Sequence, residues 1–331
     1  MEEPFVYAAV DISSLPKLRK ANTLFYDQKN HASDLLTILS QGGVNTVRLR
    51  IWVSPETVDS SFEEVKSFSK ELRNIGMKVW ITVHYSDTWA DPGSQQLPQG
   101  WKDLAYEDLL FKVNEYTKRI VREIAPDIIQ IGNEINNGFL FPYGGIYNNQ
   151  EQFLTLLSAG VKAVREVSES CKIMIHVAGT SQADWFFNVI KNIDYDMIGI
   201  SYYPKWHGGN LENLEVSLNQ LSQKFGKDIL IAETSYPFTL GWNDWTNNVM
   251  GDNEALILPE YPASEQGQLK FFQEIKEIVL RTNRGRGFCY WGAELVAFGG
   301  VESTNGSPWE NQALFDFNGK ILPVISVFKR E

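Results

Sequence analysis

Eight short runs rich in β-branched and aromatic residues recur along the 331-residue chain, separated by longer amphipathic stretches, and this alternation leaves few folds open. The runs are residues 5–12, 46–53, 78–85, 127–134, 172–179, 197–204, 228–235 and 287–294. Helical patterns cover 31–39, 61–75, 104–124, 150–167, 182–191, 211–225, 264–281 and a short final stretch, 322–328. Gly42-Gly43, Gly76, Pro126 and Gly226 stand where helical patterns stop, as residues that end a helix before a tight turn should. Parallel neighbours need a crossover of a dozen or more residues, which a helix supplies. Eight such βα units in one series predict an α/β fold, a single (β/α)8 TIM barrel spanning 1–331 as one catalytic domain. A doubly wound sheet is the rival, but Asp11-Ile12-Ser13-Ser14-Leu15-Pro16 follows the first strand where a glycine-rich phosphate turn would be expected.

In a barrel of this kind the loops after the strands build the active face. Those after the third, fourth, seventh and eighth strands are long, and they hold Trp89, Trp101, Trp242, Trp245 and Trp309. The chain carries 10 Trp, 13 Tyr and 19 Phe against a net charge of −11, so an aromatic, acidic surface is on offer. That balance disfavours nucleic acid and anionic membranes and suits a neutral carbohydrate, whose ring faces stack on aromatic side chains. No apolar run reaches the length of a membrane span. Cys171 and Cys289 lie in or beside apolar runs and read as small buried hydrophobes. The start MEEPFVYAAVD leads straight into a strand and shows no signal peptide.

Two strand endings carry the chemistry. IIQIGNEINNG puts Glu134 at the end of the fourth strand, and ILIAETSYP puts Glu233 at the end of the seventh. Strand alternation groups Gln130, Gly132 and Glu134, and likewise Ile229, Ile231 and Glu233, as inward-facing sets. Paired carboxylates at such ends can flank one bond; the plainer reading of either is a rim carboxylate paired to an arginine. Arg48 and Arg50 share a face of the second strand and can keep a carboxylate ionised, or fill the barrel centre through a structural ion pair. His84, Tyr202 and Tyr203 end their strands as possible donors or as satisfied core groups, and Trp291 is a sugar floor or a core tryptophan. Four histidines without HExxH or CxxC give no transition-metal site. Asn243, Asp244, Asn247, Asn248, Asp252 and Asn253 can be read as a hard-cation loop or, more simply, as turns.

VRLRIWV, HYSDTWADPGSQ, QIGNE, GISYYPKWH, AETSYP and YWGAE together resemble glycoside hydrolase family 53, the endo-β-1,4-galactanases, over nearly the whole chain. The resemblance implies a retaining hydrolase with Glu134 as acid/base and Glu233 as nucleophile, their carboxyl groups about 5–5.5 Å apart. It implies that Asn133 meets the sugar 2-hydroxyl, that Arg48, His84, Tyr202 and Trp291 line the subsite of the cleaved residue, and that Arg48 or Tyr202 orients Glu233. Asp87 and Trp89 would sit beside that subsite, and Trp309 would stack on a more distant sugar. No cofactor is required. Some bacterial members carry an aspartate- and histidine-containing calcium loop after the seventh strand; WNDWTNNVMGDNEAL does not match it, so no metal residue is assigned. The implied partner is β-1,4-galactan and its oligosaccharides, the type I arabinogalactan side chains of pectin. The enzyme is expected to be an extracytoplasmic monomer. A clan relative acting on mannan or glucan, and a glycan-binding barrel without catalysis, remain the alternatives.

Overall fold

The computed structural model of the protein describes residues 4–329; residues 1–3 and 330–331 of the expected domain lie outside them. The strands are β1 (Tyr7–Asp11), β2 (Phe25–Tyr26), β3 (Ala32–Ser33), β4 (Thr46–Ile51), β5 (Lys78–Val83), β6 (Ile128–Ile131), β7 (Lys172–Ala178), β8 (Met197–Ser201), β9 (Asp228–Thr234) and β10 (Gly285–Trp291). The helices are α1 (Leu15–Lys20), α2 (Leu35–Gln41), α3 (Phe62–Asn74), α4 (Tyr106–Ile124), α5 (Gln150–Val167), α6 (Ala183–Val189), α7 (Pro204–His207), α8 (Leu211–Phe225) and α9 (Glu265–Arg281). Eight strands close into a barrel in the order β1-β10-β9-β8-β7-β6-β5-β4, with parallel pairing. This is the expected (β/α)8 architecture. The final helical pattern is realised as a 3-10 segment, Pro323–Phe328.

Several bounds differ from expectation, among them β8, which stops at Ser201 before Tyr202 and Tyr203, and β10, which ends at Trp291; two further differences have local reasons. The helical pattern at 31–39 begins only at Leu35, because Asp34 caps it through Leu36 N at 2.9 Å, while Ala32 and Ser33 pair with Tyr26 and Phe25. The fourth barrel strand was expected to run to Glu134 and stops at Ile131. Gly132 turns the chain at φ +79°, and a Cβ there would stand 2.5 Å from Ile135 Cγ2, so glycine alone fits. The alternation of Gln130, Gly132 and Glu134 therefore does not extend to Glu134, which has itself left β geometry at φ +47°.

The chain's contacts gather into two compact units, residues 1–47, 202–217 and 230–331, and residues 48–201 and 218–229. In the first, α9 is capped by Ser264, whose Oγ accepts from Gly267 N at 3.0 Å. Its apolar stripe, Phe271, Phe272, Ile275, Ile278 and Val279, is buried, and Phe272 stacks on Tyr290 of β10 with ring centroids 4.4 Å apart. In the second, α3 starts at the cap Ser61 and buries Phe62, Val65, Phe68 and Leu72; α4 buries Leu109, Val113, Ile120, Val121 and Ile124 and packs on α5. Each helix is held by the face its 3.6-residue period turns inward. Cys171 and Cys289 are buried free thiols, as read from the sequence, and burial pushes the Cys171 thiol up to about 12.

The second unit also buries a polar layer. Arg48 of β4, Thr82 of β5, Gln130 of β6, His176 of β7 and Ser201 of β8 are each no more than 1% exposed. Groups of this kind are tolerated inside a protein only when they satisfy one another. They do so in a continuous network that ends at Glu134.

Candidate active site

Glu134 stands just beyond β6, and its Oε1 accepts from Ser201 Oγ at 2.5 Å. Its backbone N–H points at His176 Nδ1, 3.4 Å away, and its carbonyl accepts from Gln95 Nε2 at 3.4 Å. Asn133 is buried beside it. Asn133 Oδ1 accepts from Arg48 Nη2 at 2.8 Å and Gln130 Nε2 at 3.1 Å, and its Nδ2 donates to Ala90 O at 2.8 Å. One amide hydrogen of Asn133 is left over by these bonds for another acceptor. Arg48 thus acts within this unit as the donor that orients Asn133 and Gln130.

His84 is buried, with Nδ1 accepting from Ala90 N at 3.0 Å and from Trp52 Nε1 at 3.4 Å. That assigns its proton to Nε2. Burial, with Arg48 and Arg50 nearby, holds its pKa well below the usual histidine value, so the ring is a neutral donor. Trp89 is 43% exposed and backed by the Arg50 guanidinium, 4.2 Å from its ring centre, and by Trp52. Asp87, expected beside that subsite, is held by backbone donors. Its two carboxylate oxygens accept from Ser54 N (2.8 Å) and Gln99 N (2.7 Å), which braces the loops on either side of Trp89.

In the first unit, Glu233 is the sixth residue of β9 and is buried. The tyrosine that reaches it is Tyr203, whose hydroxyl donates to Glu233 Oε2 at 3.3 Å. The expectation that Tyr202 orients Glu233 is corrected: the Tyr202 hydroxyl donates to Gly208 O at 2.7 Å, and only its backbone N–H meets the strand, at Glu233 O, 2.8 Å. The peptide between the two tyrosines leads from β8 into α7, so Tyr202 and Tyr203 point different ways. Trp291 closes β10, 8% exposed, with the Trp309 ring edge-on at 5.0 Å. Trp309 packs on the buried cluster of Tyr203, Met250 and Ala255 and meets Trp206 at 6.5 Å. Trp206, 51% exposed on α7, adds an aromatic face that the sequence reading did not assign.

The two units therefore each present one carboxylate at a barrel strand end, steered by a hydroxyl donor and flanked by tryptophan. The sequence model of glycosyl hydrolase family 53 matches residues 7–328. The chain belongs to glycosyl hydrolase family 53. It is accordingly a glycoside hydrolase. The arabinogalactan endo-β-1,4-galactanase of Cellvibrio japonicus is 32% identical over 99% of this chain and 91% of its own length. The family 53 catalytic domain of Ignisphaera aggregans superposes with a TM-score of 0.92 at 36% identity, covering 98% of this chain and 95% of that one. A fungal β-1,4-galactanase structure superposes with a TM-score of 0.84 at 29% identity, covering 99% of this chain and all of the other.

Among the described residues no three His, Cys, Asp or Glu side chains gather to hold a metal ion, and none of the helices is long and apolar enough to cross a membrane. The calcium loop of some family 53 members can be tested against the asparagine- and aspartate-rich segment itself. Glu310 Oε1 accepts from the N–H groups of Asn243 (2.6 Å) and Asp244 (3.3 Å), and Asp244 Oδ1 from Thr246 N (2.7 Å). Asp252 is taken by Lys205 at 3.0 Å. Asp244 Oδ2, Glu310 Oε2 and Asn248 Oδ1 are buried without a protein partner. Burial and the Asp244 charge raise the Glu310 pKa. These oxygens suit a hard cation in kind, but with two carboxylates they suit a shared proton equally.

Family membership rests on residues the sequence displayed. Of the polar layer beneath Glu134, Arg48 and Gln130 were expected inside the barrel, while Thr82, His176 and Ser201 were not anticipated. His176 and Ser201 each stand as a polar residue inside an apolar stretch of their strand, and that incongruity was the available signal.

Proposed function

We propose that this chain is an endo-acting β-1,4-galactanase that cleaves the galactan side chains of pectin with retention, as one catalytic domain acting as a monomer outside the cytoplasm. The observation that carries this reading is the pair of steered carboxylates, Glu134 under Ser201 and Glu233 under Tyr203, at the ends of the fourth and seventh barrel strands. The galactanase names of relatives that match over nearly their whole length support the substrate.

In the first step a Glu233 carboxylate oxygen bonds to the anomeric carbon, the glycosidic C–O bond breaks, and the Glu134 proton passes to the leaving oxygen. In the second, water bonds to the same carbon, its proton passes to Glu134, and the Glu233 ester bond breaks. This chemistry requires the two carboxyl groups about 5–5.5 Å apart. Tyr203 helps Glu233 to be ionised before attack and to leave as carboxylate afterwards. The second amide hydrogen of Asn133 is available to the 2-hydroxyl, neutral His84 offers its Nε2–H, and Trp89, Trp291 and Trp309 supply ring faces for stacking.

The test is incubation with β-1,4-galactan, β-mannan and β-glucan separately, following reducing ends, product length and the anomer first released. Short galacto-oligosaccharides from galactan alone, first appearing as the β-anomer, are expected. Activity on mannan or glucan instead would overturn the substrate, an α-anomer would overturn the mechanism, and silence on all three would favour a glycan-binding protein.

A further inference from the structure

We propose that His176, acting through Ser201, decides which oxygen of Glu134 carries the catalytic proton. The inference rests on the acid/base reading of Glu134. It begins with the polarity of the network, which can be followed from a fixed end. Arg48 can only donate, and its Nε and Nη2 both approach the same Gln130 oxygen, Oε1, at 3.3 Å. That orients the Gln130 amide, so the group facing His176 Nδ1 at 2.9 Å is an N–H donor. A second donor, the Glu134 backbone N–H, faces the same ring nitrogen at 3.4 Å. The two hydrogens of Gln130 Nε2 are shared among His176 Nδ1 and, each at 3.1 Å, Gly132 O and Asn133 Oδ1, while Asn133 Oδ1, 3.3 Å from Nδ1, already accepts from Arg48 at 2.8 Å. Nδ1 is therefore the lone-pair nitrogen, and the His176 proton is on Nε2.

From there the direction is forced. His176 Nε2–H donates to Ser201 Oγ at 2.8 Å, and the serine hydrogen is left to point at Glu134 Oε1. Every donor from Arg48 onward faces the acid/base. A carboxylic acid whose Oε1 accepts a hydrogen bond keeps its carbonyl character there, which places the acidic hydrogen on Oε2. Oε2 is then the atom that gives the proton to the leaving oxygen and takes it back from water. The charge-assisted Ser201 bond also favours the ionised base of the second step.

The backbone agrees. Glu134 holds φ +47°, a conformation disfavoured for a residue with a Cβ, and His176 contacts its N–H as well as steering its carboxyl through Ser201. Gln130, His176 and Ser201 have no detectable exposure, so water cannot substitute for a missing link. A layer that served only to fill the barrel would not need to end on Glu134. Among the described residues, the charged or titratable groups near this network include Arg48, one link away through Asn133 and Gln130, and His84, on which the Arg48 and Arg50 charges act; Glu233 is the charge the mechanism adds.

The experiment compares Ser201→Ala, Ser201→Thr, His176→Gln and His176→Leu on galactan and on an aryl β-galactoside with a good leaving group, across pH. Ser201→Ala should lower kcat on galactan by about tenfold or more while changing KM by less than about twofold, within the range of one acid/base element. It should shift the alkaline limb upward, because a carboxylate that loses a donor becomes more basic. Ser201→Thr should restore both, and His176→Gln, which can accept from Gln130 and donate to Ser201, should retain more activity than His176→Leu. If the leucine variant fails to fold, Ser201→Ala against Ser201→Thr carries the comparison. An unchanged galactan kcat and alkaline limb in Ser201→Ala overturns the proposal. Glu134→Ala separates this from failure of the parent reading. If azide yields β-galactosyl azide and the aryl substrate is spared, Glu134 is the acid/base and a silent Ser201→Ala refutes the network alone. If neither occurs, the assignment of Glu134 itself falls, and the network with it.

Discussion

Removing one hydroxyl, in Tyr203→Phe, tests how Glu233 is held ready to attack. The ring of Tyr203 packs in a buried cluster with Met250 and Ala255, which phenylalanine preserves, while the change removes the 3.3 Å bond to Glu233 Oε2. A hydrogen bond to a charged group contributes about 1.5–3 kcal/mol. This one is longer than the usual O–H···O distance of about 2.7–2.8 Å, so the low end applies, roughly 1.5 kcal/mol. That corresponds to about one pKa unit. The donor stabilises the ionised form, so its loss raises the Glu233 pKa, and the acidic limb of kcat/KM on galactan should move up by about one pH unit. Where breakdown of the glycosyl-enzyme limits turnover, kcat should also fall, by up to about tenfold, with KM falling alongside. Tyr202→Phe is the internal control: its hydroxyl bonds Gly208 O, and the limb should stay in place. A limb that moves in Tyr202→Phe and not in Tyr203→Phe would refute the reasoning and restore the tyrosine that the family resemblance suggested.

His207 Nδ1 accepts from Tyr203 N at 2.9 Å, and burial lowers its pKa to about 4. The unfolded chain binds this proton first, so stability should fall by at most about 3 kcal/mol as pH drops from about 6.5 to 4; His207→Gln, whose oxygen can accept the same bond, should flatten that decline in urea titrations. Glu310 has a raised pKa, so the stability it allows is present at low pH and lost as pH rises through that value. In EDTA at pH 8, Glu310→Gln should therefore raise Tm, by about 2 °C for about 1 kcal/mol, and do much less at pH 4; a lowered Tm, matched by calcium stabilising the unmodified protein, would assign the buried oxygens of Asp244, Asn248 and Glu310 to a cation.

Much of the fold was legible because its determinants are local. Helices α5 and α8 occupy the spans that their periodicity outlined, and Ser61 and Ser264 cap their helices where the apolar pattern begins. The failures were also local competitions that pattern cannot referee. Ala32 and Ser33 fit a helix by composition and were taken by a two-residue strand partner. Residues 132–134 fit a strand by alternation, yet Gly132 turned the chain. Glu134 and Glu233 were found because carboxylates at strand ends are conspicuous in any apolar setting.

What the sequence determined by itself was the barrel and the two carboxylates, since alternation, capping and strand-end chemistry are written within a few residues of one another. What only the tertiary structure decided was which group steers each carboxylate. Adjacent tyrosines part at the end of β8, so that Tyr203 reaches Glu233 while Tyr202 bonds Gly208. His176 aligns with Gly199 and Ala178 with Ser201 in the β7–β8 register, and that pairing brings an imidazole and a hydroxyl from two strands into one hydrogen-bonded line with the carboxyl just beyond β6. A register spanning 25 to 67 residues of separation has no signature in any short window, because it is set by how the strands close on one another.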